Sequence, residues 1–156
     1  MHTPVGAHQS GLIGDDPDGI PNNLMPFITQ ATVGKLPELT VFGDDYPTRD
    51  GSCIRDYLHV VDLAKGHVSA LKYCMDHTGV EAINLGSGRG TSVLELIEAF
   101  ERVNGVKVPH KIGPRRAGDL AAYYASPAKA AQLMGWKAEL TIDDMCRDAW
   151  HFAVKR

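Results

Sequence analysis

The spacing of apolar residues along the chain predicts four amphipathic helices. Apolar positions recur at intervals of three and four residues in four segments, residues 24–33, 63–74, 93–103 and 142–153. A shorter helix is expected between Pro127, which opens it, and Gly135, which closes it. These helices alternate with short runs of a different kind, so the chain is not all-helical.

Polar residues mark where the two best-defined helices begin. Ser92 is followed three positions later by Glu95, and Thr141 by Asp144, which is the spacing of a capping box. Asp62 is expected to cap the helix that precedes them. The third and last helices should therefore start close to residues 93 and 142.

Two asparagines precede the first helix and allow two interpretations. Asn22 or Asn23 could cap the helix that begins near Leu24. Alternatively, their amides and the free backbone N–H groups of that helix terminus could hold a ligand. The sequence alone leaves both readings open.

Runs of β-branched and aromatic residues between the helices predict short strands. These runs are residues 39–42, 54–61, 81–85 and 106–112. Residues 1–23 are instead rich in Gly, Pro, Asp and Asn, which predicts an exposed loop. The mixture of helices and strands predicts an α/β fold with few short strands.

Arg55 and Asp56 place two charges side by side within strand-forming residues. An arginine on a strand is either half-solvated or directs its planar donors at a phosphate or carboxylate. Arg115 and Arg116 lie in a loop held by Gly and Pro, where an arginine pair is either solvated charge or part of a binding site. Arg55 and Arg116 together could clamp one pyrophosphate.

A glycine-rich loop at residues 86–90 joins a predicted strand to the helix after Ser92. The order strand, glycine loop, helix is typical of dinucleotide binding, with Arg115 and Arg116 suited to a 2′-phosphate. The glycines, however, are spaced G-x-G-x-G, and no acidic residue follows about 20 positions later. A plain tight turn is the alternative.

Composition and charge narrow the class of protein. The 156 residues carry a net charge of −3, which argues against nucleic acid or an anionic membrane as the main partner. No apolar run approaches the ~20 residues that cross a bilayer, so we expect a cytoplasmic protein. Three scattered cysteines and seven scattered histidines predict neither a disulfide framework nor a metal site.

Six segments, in order, resemble the UDP-glucose 4-epimerases, which are extended short-chain dehydrogenases/reductases. They are residues 3–8, 19–26, 42–48, 55–60, 84–86 and 114–119. The resemblance covers essentially the whole chain and matches only the C-terminal half of those enzymes. It implies a UDP-sugar substrate-binding domain over residues 1–156, without the N-terminal Rossmann half.

The resemblance also implies a set of binding residues for UDP-glucose and UDP-galactose. Three would contact the UDP, two the uracil side, five the pyrophosphate and ribose, and one the sugar. In that order they are Asn22, Asn23 and Leu24; Thr40 and Phe42; Arg55, Tyr57, Val93, Arg116 and Asp119; and Tyr123. A bulky residue at position 123 is expected to leave no room for an N-acetyl group on the sugar.

The resemblance implies chemistry that this chain does not supply alone. The family interconverts UDP-galactose and UDP-glucose through a 4-keto sugar, using NAD and a Tyr-x-x-x-Lys pair. None of the five tyrosines has lysine four positions later. We therefore expect the chain alone to be inactive and not to hold NAD, although the full-length enzyme binds NAD and could be a homodimer.

Three alternatives to an epimerase portion stay open. The chain could be a UDP-sugar-binding module without chemistry, or a portion of another NAD-dependent nucleotide-sugar epimerase or dehydratase. It could also be an independent NADP-binding domain built on residues 86–90 with Arg115 and Arg116. Only one strand-helix-strand unit surrounds that loop, which disfavours the last.

Overall fold

Short strands and five helices alternate along residues 3–155, the part of the chain that the computed structural model describes. The strands are β1 (Thr3–Val5), β2 (Leu39–Phe42), β3 (Ile54–Arg55), β4 (Tyr57–His59), β5 (Thr91–Ser92), β6 (His110–Gly113) and β7 (Ala122–Tyr123). The helices are α1 (Leu24–Thr32), α2 (Val60–Asp76), α3 (Val93–Asn104), α4 (Ala128–Met134) and α5 (Ile142–Val154). The α/β fold with few short strands is confirmed.

The strands form three small sheets rather than one large one. β1 pairs with β4 and β2 with β6, both in parallel. β3 lies between β5, which is antiparallel to it, and β7, which is parallel. Most of these pairs join strands distant in sequence, so the sheets bring loops from several parts of the chain together.

The main core lies between α1, α3, α5 and β2. Ile28, Leu96 and Phe100 are completely buried there, and the ring of Trp150 meets that of Phe100 edge-on at 5.8 Å. Cys146 is also buried, which raises the pKa of its thiol to about 12 and makes it a packing residue. This core fixes the helices that support the strand ends.

Helix termini follow the predicted capping pattern at α3 and α5. The Ser92 hydroxyl accepts the Glu95 N–H at 3.1 Å, and the Thr141 hydroxyl accepts the Asp144 N–H at 3.2 Å. Both glutamate and aspartate side chains return a bond to the cap, so each is a complete capping box. The hydrogen bonds that the Thr141 hydroxyl and then its backbone N–H donate lower the pKa of Asp144 to about 2.

The prediction of an exposed loop over residues 1–23 is wrong at its start, while residues 1–2 lie outside the described part. Thr3–Val5 form β1, and Val5 and Ala7 are buried. The reason is the parallel pairing with β4, a partner more than fifty residues away that local composition does not show. Residues 12–20 are mostly exposed.

Two predicted features of the α2 region are also wrong. The helix begins at Val60 rather than after Asp62, because the imidazole of His59 accepts the Val61 N–H at 3.1 Å and caps it. Asp62 is instead fully buried and accepts two backbone N–H groups ahead of α5. Residues 81–85 belong to none of the described strands.

Length and hydropathy decide whether a helix can span a bilayer, and no helix within residues 3–155 meets both requirements.

Candidate functional site

Arg55 and Arg116, far apart in sequence, meet at one carboxylate. Both guanidinium groups donate to the same oxygen, Oδ1 of Asp119, at 3.3 Å and 3.0 Å. Arg55 also donates to the carbonyls of Leu120 and Ile54, at 2.7 Å and 2.9 Å, which holds it in place. We call Arg55, Arg116 and Asp119 the arginine cluster.

The small sheet around β3 positions this cluster. Arg55 lies on β3 directly opposite Tyr123 on the parallel strand β7. The loop carrying Arg116 and Asp119 joins β6 to β7, so β7 brings it back to β3. Tyr123 is 42% exposed and stands at the edge of the cluster.

An aromatic side chain completes this part of the site. The Arg116 guanidinium lies 5.6 Å from the centroid of the Phe42 ring, within reach of a cation–π interaction. Thr40 is two residues earlier on β2 and therefore shares a face with Phe42. A side chain at Gly113 would lie 2.7 Å from the Thr40 methyl, so glycine keeps this face open.

The cluster has more positive than negative charge and more donors than internal acceptors. Two guanidinium groups share one carboxylate, and each guanidinium carries five N–H donors. The hydrogen bond to Asp119 raises the pKa of Arg116, and the Arg116 side chain is 64% exposed. Free donors on a fixed positive pair are suited to an anionic group with several oxygens, such as a pyrophosphate.

Arg115, in contrast, is engaged by other residues of the chain. Its guanidinium pairs with Asp45 and lies 4.2 Å above the ring of Tyr46. The two arginines that follow one another in sequence therefore differ: Arg116 faces the cluster, and Arg115 fastens the loop after β2.

The glycine loop at residues 86–90 serves a buried carboxylate. Oδ1 of Asp56 accepts the backbone N–H of Ser87 at 2.9 Å and its hydroxyl at 2.6 Å. A side chain at Gly86 would lie 2.5 Å from Oδ2 of Asp56, so glycine is required for this approach. These contacts favour the tight-turn interpretation over a dinucleotide phosphate loop.

Several residues implied by the resemblance lie in the core instead of the arginine cluster. Tyr57 is 3% exposed and packs in the main core, and burial raises the pKa of its phenol. The structure thus places the Tyr57 side chain in the core, and its contact with the pyrophosphate or ribose stays a prediction. Leu24 and Val93 are partly buried and pack against the same core.

The asparagines are placed at a second location. Asn22 is exposed, and Asn23 occupies the N-cap position of α1 without making a side-chain cap. The capping interpretation is thus wrong in its side-chain form. Asn23 instead lines a cavity of about 500 Å³ among α1, α2 and α5, and neither arginine of the cluster lines it.

One buried polar pair was missed by sequence reasoning. The His59 imidazole is fully buried and lies 3.2 Å from Oδ2 of Asp148. Because its Nδ1 accepts the Val61 N–H, its proton sits on Nε2 and is donated to Asp148. Burial, only partly offset by the hydrogen bond to Asp148, lowers the pKa of His59. The residues are 89 positions apart, so no local signal joins them.

We looked for side chains and loop N–H groups that could bind a metal ion or a dinucleotide. Within residues 3–155, no group of three or more His, Cys, Asp or Glu side chains is arranged to hold a metal ion. The N–H of Ser87 in the glycine loop is directed at Asp56. That N–H is therefore engaged within the chain and is not available to a dinucleotide phosphate.

Comparison with known proteins establishes the family. The family model for GDP-mannose 4,6 dehydratase matches residues 7–149, and the chain belongs to that family. Within it, the chain is similar to UDP-glucose 4-epimerases. It is 60% identical, over 154 residues, to a bifunctional UDP-glucose 4-epimerase and UDP-xylose 4-epimerase from Arabidopsis thaliana. It is 56% identical, over 149 residues, to the UDP-glucose 4-epimerase of Bacillus subtilis.

These relatives are much longer than the chain. The matches cover 97% and 96% of this chain but only 44% of either relative. The UDP-glucose 4-epimerase from Stenotrophomonas maltophila, solved with NAD and formylated UDP-arabinopyranose, superposes with a TM-score of 0.95 at 53% identity. The match covers 98% of this chain and 46% of that one. The resemblance to the C-terminal half of these enzymes is confirmed.

A second solved epimerase superposes on this chain equally well. The UDP-glucose 4-epimerase from Bifidobacterium longum, in complex with NAD⁺ and UDP, superposes with a TM-score of 0.94 at 54% identity. It too is matched over 98% of this chain and 45% of its own length. The chain thus spans less than half the length of the proteins that it matches.

Proposed function

We propose that the chain binds the UDP part of UDP-glucose and UDP-galactose and is the substrate-binding portion of a UDP-glucose 4-epimerase. The observation that carries this proposal is the arginine cluster, where two fixed guanidinium groups keep free donors beside an exposed aromatic ring. The structures of relatives solved with UDP or a UDP-sugar support the ligand class.

In this proposal each half of the ligand has its own partners. Arg55 and Arg116 hold the pyrophosphate through charge-assisted hydrogen bonds. Phe42 and Thr40 face the uracil, and Asp119 accepts from the ribose hydroxyls. The sugar lies beside Tyr123. Contact of Asn22, Asn23 and Leu24 with the UDP stays a prediction from the resemblance, since Asn23 lines a cavity that neither arginine of the cluster lines.

Epimerisation requires chemistry from outside this chain. NAD supplies hydride transfer at the sugar C4 atom, and a tuned phenol removes the hydroxyl proton. The chain has no Tyr-x-x-x-Lys pair, and the Ser87 N–H in its glycine loop is engaged by Asp56. We therefore propose that it contributes substrate binding, that NAD is held by the remainder of a full-length enzyme, and that the chain alone does not turn over.

Calorimetric titration with UDP tests the binding site. We expect the parent chain to bind, and Arg55→Ala and Arg116→Ala each to lose about 1.5–3 kcal/mol of binding free energy, since each removes charge-assisted bonds. Arg102→Ala is the matched control, because Arg102 is an exposed arginine of α3 that pairs with Asp143 on α5. Unchanged affinity in both cluster variants would exclude this pyrophosphate site.

A coupled assay for UDP-glucose formation tests the assignment of the chemistry. Highly purified chain with UDP-galactose and NAD should give no turnover above the blank. Turnover that disappears in Arg55→Ala would show that the chain itself is catalytic, because a contaminating host enzyme would be unaffected by the substitution.

We also propose that Tyr123 determines which sugar the site accepts. Its ring is bulky, partly exposed and adjacent to the arginine cluster. Restored to a full-length enzyme, Tyr123 should favour UDP-galactose over UDP-N-acetylgalactosamine, and Tyr123→Ser should reduce that preference by removing a steric clash. Equal kcat/KM for the two substrates in the Tyr123 form would contradict this.

The remaining expectations from the sequence are also kept as proposals. The match to a dehydratase family model keeps a related NAD-dependent nucleotide-sugar enzyme as the second candidate. A homodimer of the full-length enzyme, a cytoplasmic location, and the absence of nucleic-acid and membrane partners stay predictions from the sequence. A non-catalytic UDP-sugar-binding module would show the same titration results but no requirement for a second polypeptide.

A further inference from the structure

The two adjacent arginines of the loop between β6 and β7 contact the chain on either side of Gly43. The Arg116 guanidinium lies 5.6 Å from the centroid of the Phe42 ring, which precedes Gly43. The Arg115 guanidinium lies 4.2 Å from the centroid of the Tyr46 ring, which follows it. Arg116 thus belongs to the candidate ligand site, whereas Arg115 contacts a loop that contains none of the predicted binding residues.

Arg115 is held by three contacts at once. Its Nε donates to Oδ1 of Asp45 at 2.6 Å, and a terminal nitrogen of the guanidinium donates to the backbone carbonyl of Asp45. The same guanidinium packs on the ring of Tyr46, which is buried. A planar fork with two acceptors and a ring is better defined than an ordinary surface ion pair. We call Asp45, Tyr46 and Arg115 the Arg115 anchor.

Glycine at position 43 makes room for the Arg115 anchor. Gly43 has a φ of 88°, and a side chain there would lie 2.7 Å from the Tyr46 ring and 2.8 Å from Cγ of Arg115. The Gly43 N–H donates to the Gly113 carbonyl at 2.9 Å, which extends the pairing of β2 with β6. The Arg115 anchor therefore sits next to the strand pair that carries Phe42.

The loop that supplies Asp45 and Tyr46 is closed by its own hydrogen bonds. The Tyr46 N–H donates to the Gly51 carbonyl at 2.9 Å, and the Thr48 N–H donates to the Tyr46 carbonyl at 2.7 Å. The Thr48 hydroxyl donates to the Ser52 carbonyl at 2.7 Å. The Arg115 anchor is thus attached to an ordered loop directly ahead of β3.

Arg116 has less support of its own. Its side chain is 64% exposed, and the contacts described for it are with Asp119 and Phe42, which belong to the same site. Residues 114–116 lie in none of the described helices or strands. An exposed arginine on such a segment has to be ordered when a ligand binds, unless a neighbouring contact has already ordered it.

We propose that Arg115 is a positioning residue: through the Arg115 anchor it holds the loop so that Arg116 faces the pyrophosphate, and it raises UDP affinity without contacting the ligand. This proposal rests on the proposed function, because the ligand is the same UDP. Preorganisation strengthens binding by reducing the entropy that is lost when the complex forms. The competing explanation is that Arg115 acts on UDP only through its positive charge.

The sign of the effect at Asp45 separates these two explanations. Asp45→Ala removes a negative charge near the site, so a purely electrostatic role of the loop predicts tighter UDP binding. The positioning role predicts that Asp45→Ala and Arg115→Ala each weaken UDP binding by about threefold to tenfold, the range for an ion pair with a cation–π contact. Calorimetric titration measures both. Asp44→Ala is the matched control, because it removes the same charge from an exposed residue one position earlier and should not weaken binding.

A double substitution tests whether Arg115 acts through Arg116. In an Arg116→Ala background, Arg115→Ala should change UDP affinity by less than about twofold, because the side chain that it positions is gone. A further loss equal to that in the parent would mean that Arg115 acts on the ligand directly, and would overturn the proposal. The urea midpoints of the single variants should stay close to that of the parent, which separates positioning from loss of the fold.

Order at Arg116 can be measured without UDP. NMR relaxation of the Arg116 Nε–H group in the free chain should give a lower order parameter in Arg115→Ala and Asp45→Ala than in the parent and Asp44→Ala. An unchanged order parameter would overturn the proposal even if UDP binds. A parent chain that binds no UDP, with order at Arg116 that still depends on Arg115, would contradict the proposed function and support the positioning, so the two failures are distinguishable.

Discussion

Arg55 and Asp56 are adjacent in sequence, yet they belong to two regions with different roles. Asp56 is 2% exposed, and its carboxylate accepts three hydrogen bonds, two from Ser87 and one from the Ala125 N–H. Arg55 lies in the arginine cluster, where two guanidinium groups share a single carboxylate. The Asp56 carboxylate is hydrogen-bonded inside the protein, whereas Arg55 belongs to a cluster that has free N–H donors.

The difference separates structural from functional charge. A buried carboxylate surrounded by donors contributes to stability, because removing it leaves those donors unpaired. A partly exposed positive cluster contributes little to stability but can bind an anion. Substitution of Asp56 should therefore lower stability, whereas substitution in the arginine cluster should lower UDP affinity.

The largest effect is expected at Asp56. Asp56→Ala should lower the free energy of unfolding by about 3–5 kcal/mol, because three donors lose their acceptor in a buried site. Urea denaturation followed by circular dichroism measures it. Asp143→Ala, which removes an exposed carboxylate, is the control and should change stability little. Equal effects of the two substitutions would contradict the contrast.

Ser87→Ala removes only one of the bonds to Asp56. Its hydroxyl donates to the carboxylate at 2.6 Å, and the backbone N–H remains in place. We expect a loss of about 1.5–3 kcal/mol in the same denaturation experiment, the range for a hydrogen bond to a charged group. A loss as large as that of Asp56→Ala would mean that the hydroxyl, and not the loop backbone, holds the carboxylate.

The buried His59 should make stability depend on pH. Its pKa is lowered from the ordinary value of 6.5, mainly by burial, so the unfolded chain takes up a proton before the folded chain does. Unfolding free energy should therefore fall as the pH drops below 6.5, by at most about 1.4 kcal/mol per pH unit. Denaturation between about pH 5 and 6.5 measures this slope.

A variant at this position supplies the control for the pH experiment. His59→Gln should be less stable than the parent at neutral pH, because it loses the capping bond to α2. It should also lose the slope between about pH 5 and 6.5, since glutamine does not titrate. A parent chain with flat stability over this range would contradict the assignment.

The smallest stability effect is expected in the arginine cluster. Arg116→Ala should change the free energy of unfolding by no more than about 1 kcal/mol, because its side chain is mostly exposed and its ion pair is screened by solvent. The same variant should still lose UDP affinity. A destabilisation comparable with that of Asp56→Ala would show that the cluster is a structural ion pair.

Local signals in the sequence correctly predicted several elements. The capping boxes at Ser92 and Thr141 placed the starts of α3 and α5, and glycines 105 and 135 end α3 and α4 in the left-handed conformation. The strand at residues 39–42 matches β2. Each of these signals acts within a few residues, where backbone geometry and hydrogen bonding are decided locally.

Other predictions failed where distant partners decide the outcome. Asp62 was predicted to cap α2, but it is buried and accepts backbone N–H groups ahead of α5 instead. Residues 81–85 have the composition of a strand, yet a strand needs a partner, and within residues 3–155 they pair with none. Propensity describes what a segment can form, while burial and pairing depend on the rest of the fold.

The sequence by itself determined the helices with strong caps, the α/β class and, through its resemblance, the family to which the chain belongs. It offered Arg55 and Arg116 as two halves of one pyrophosphate clamp, without showing that they meet. Only the tertiary structure brought both to one oxygen of Asp119 and turned Asp56 inward to the glycine loop. The physical reason is that caps and periodicity are short-range, whereas side-chain direction, burial and shared hydrogen-bond partners are fixed by contacts between residues far apart in sequence.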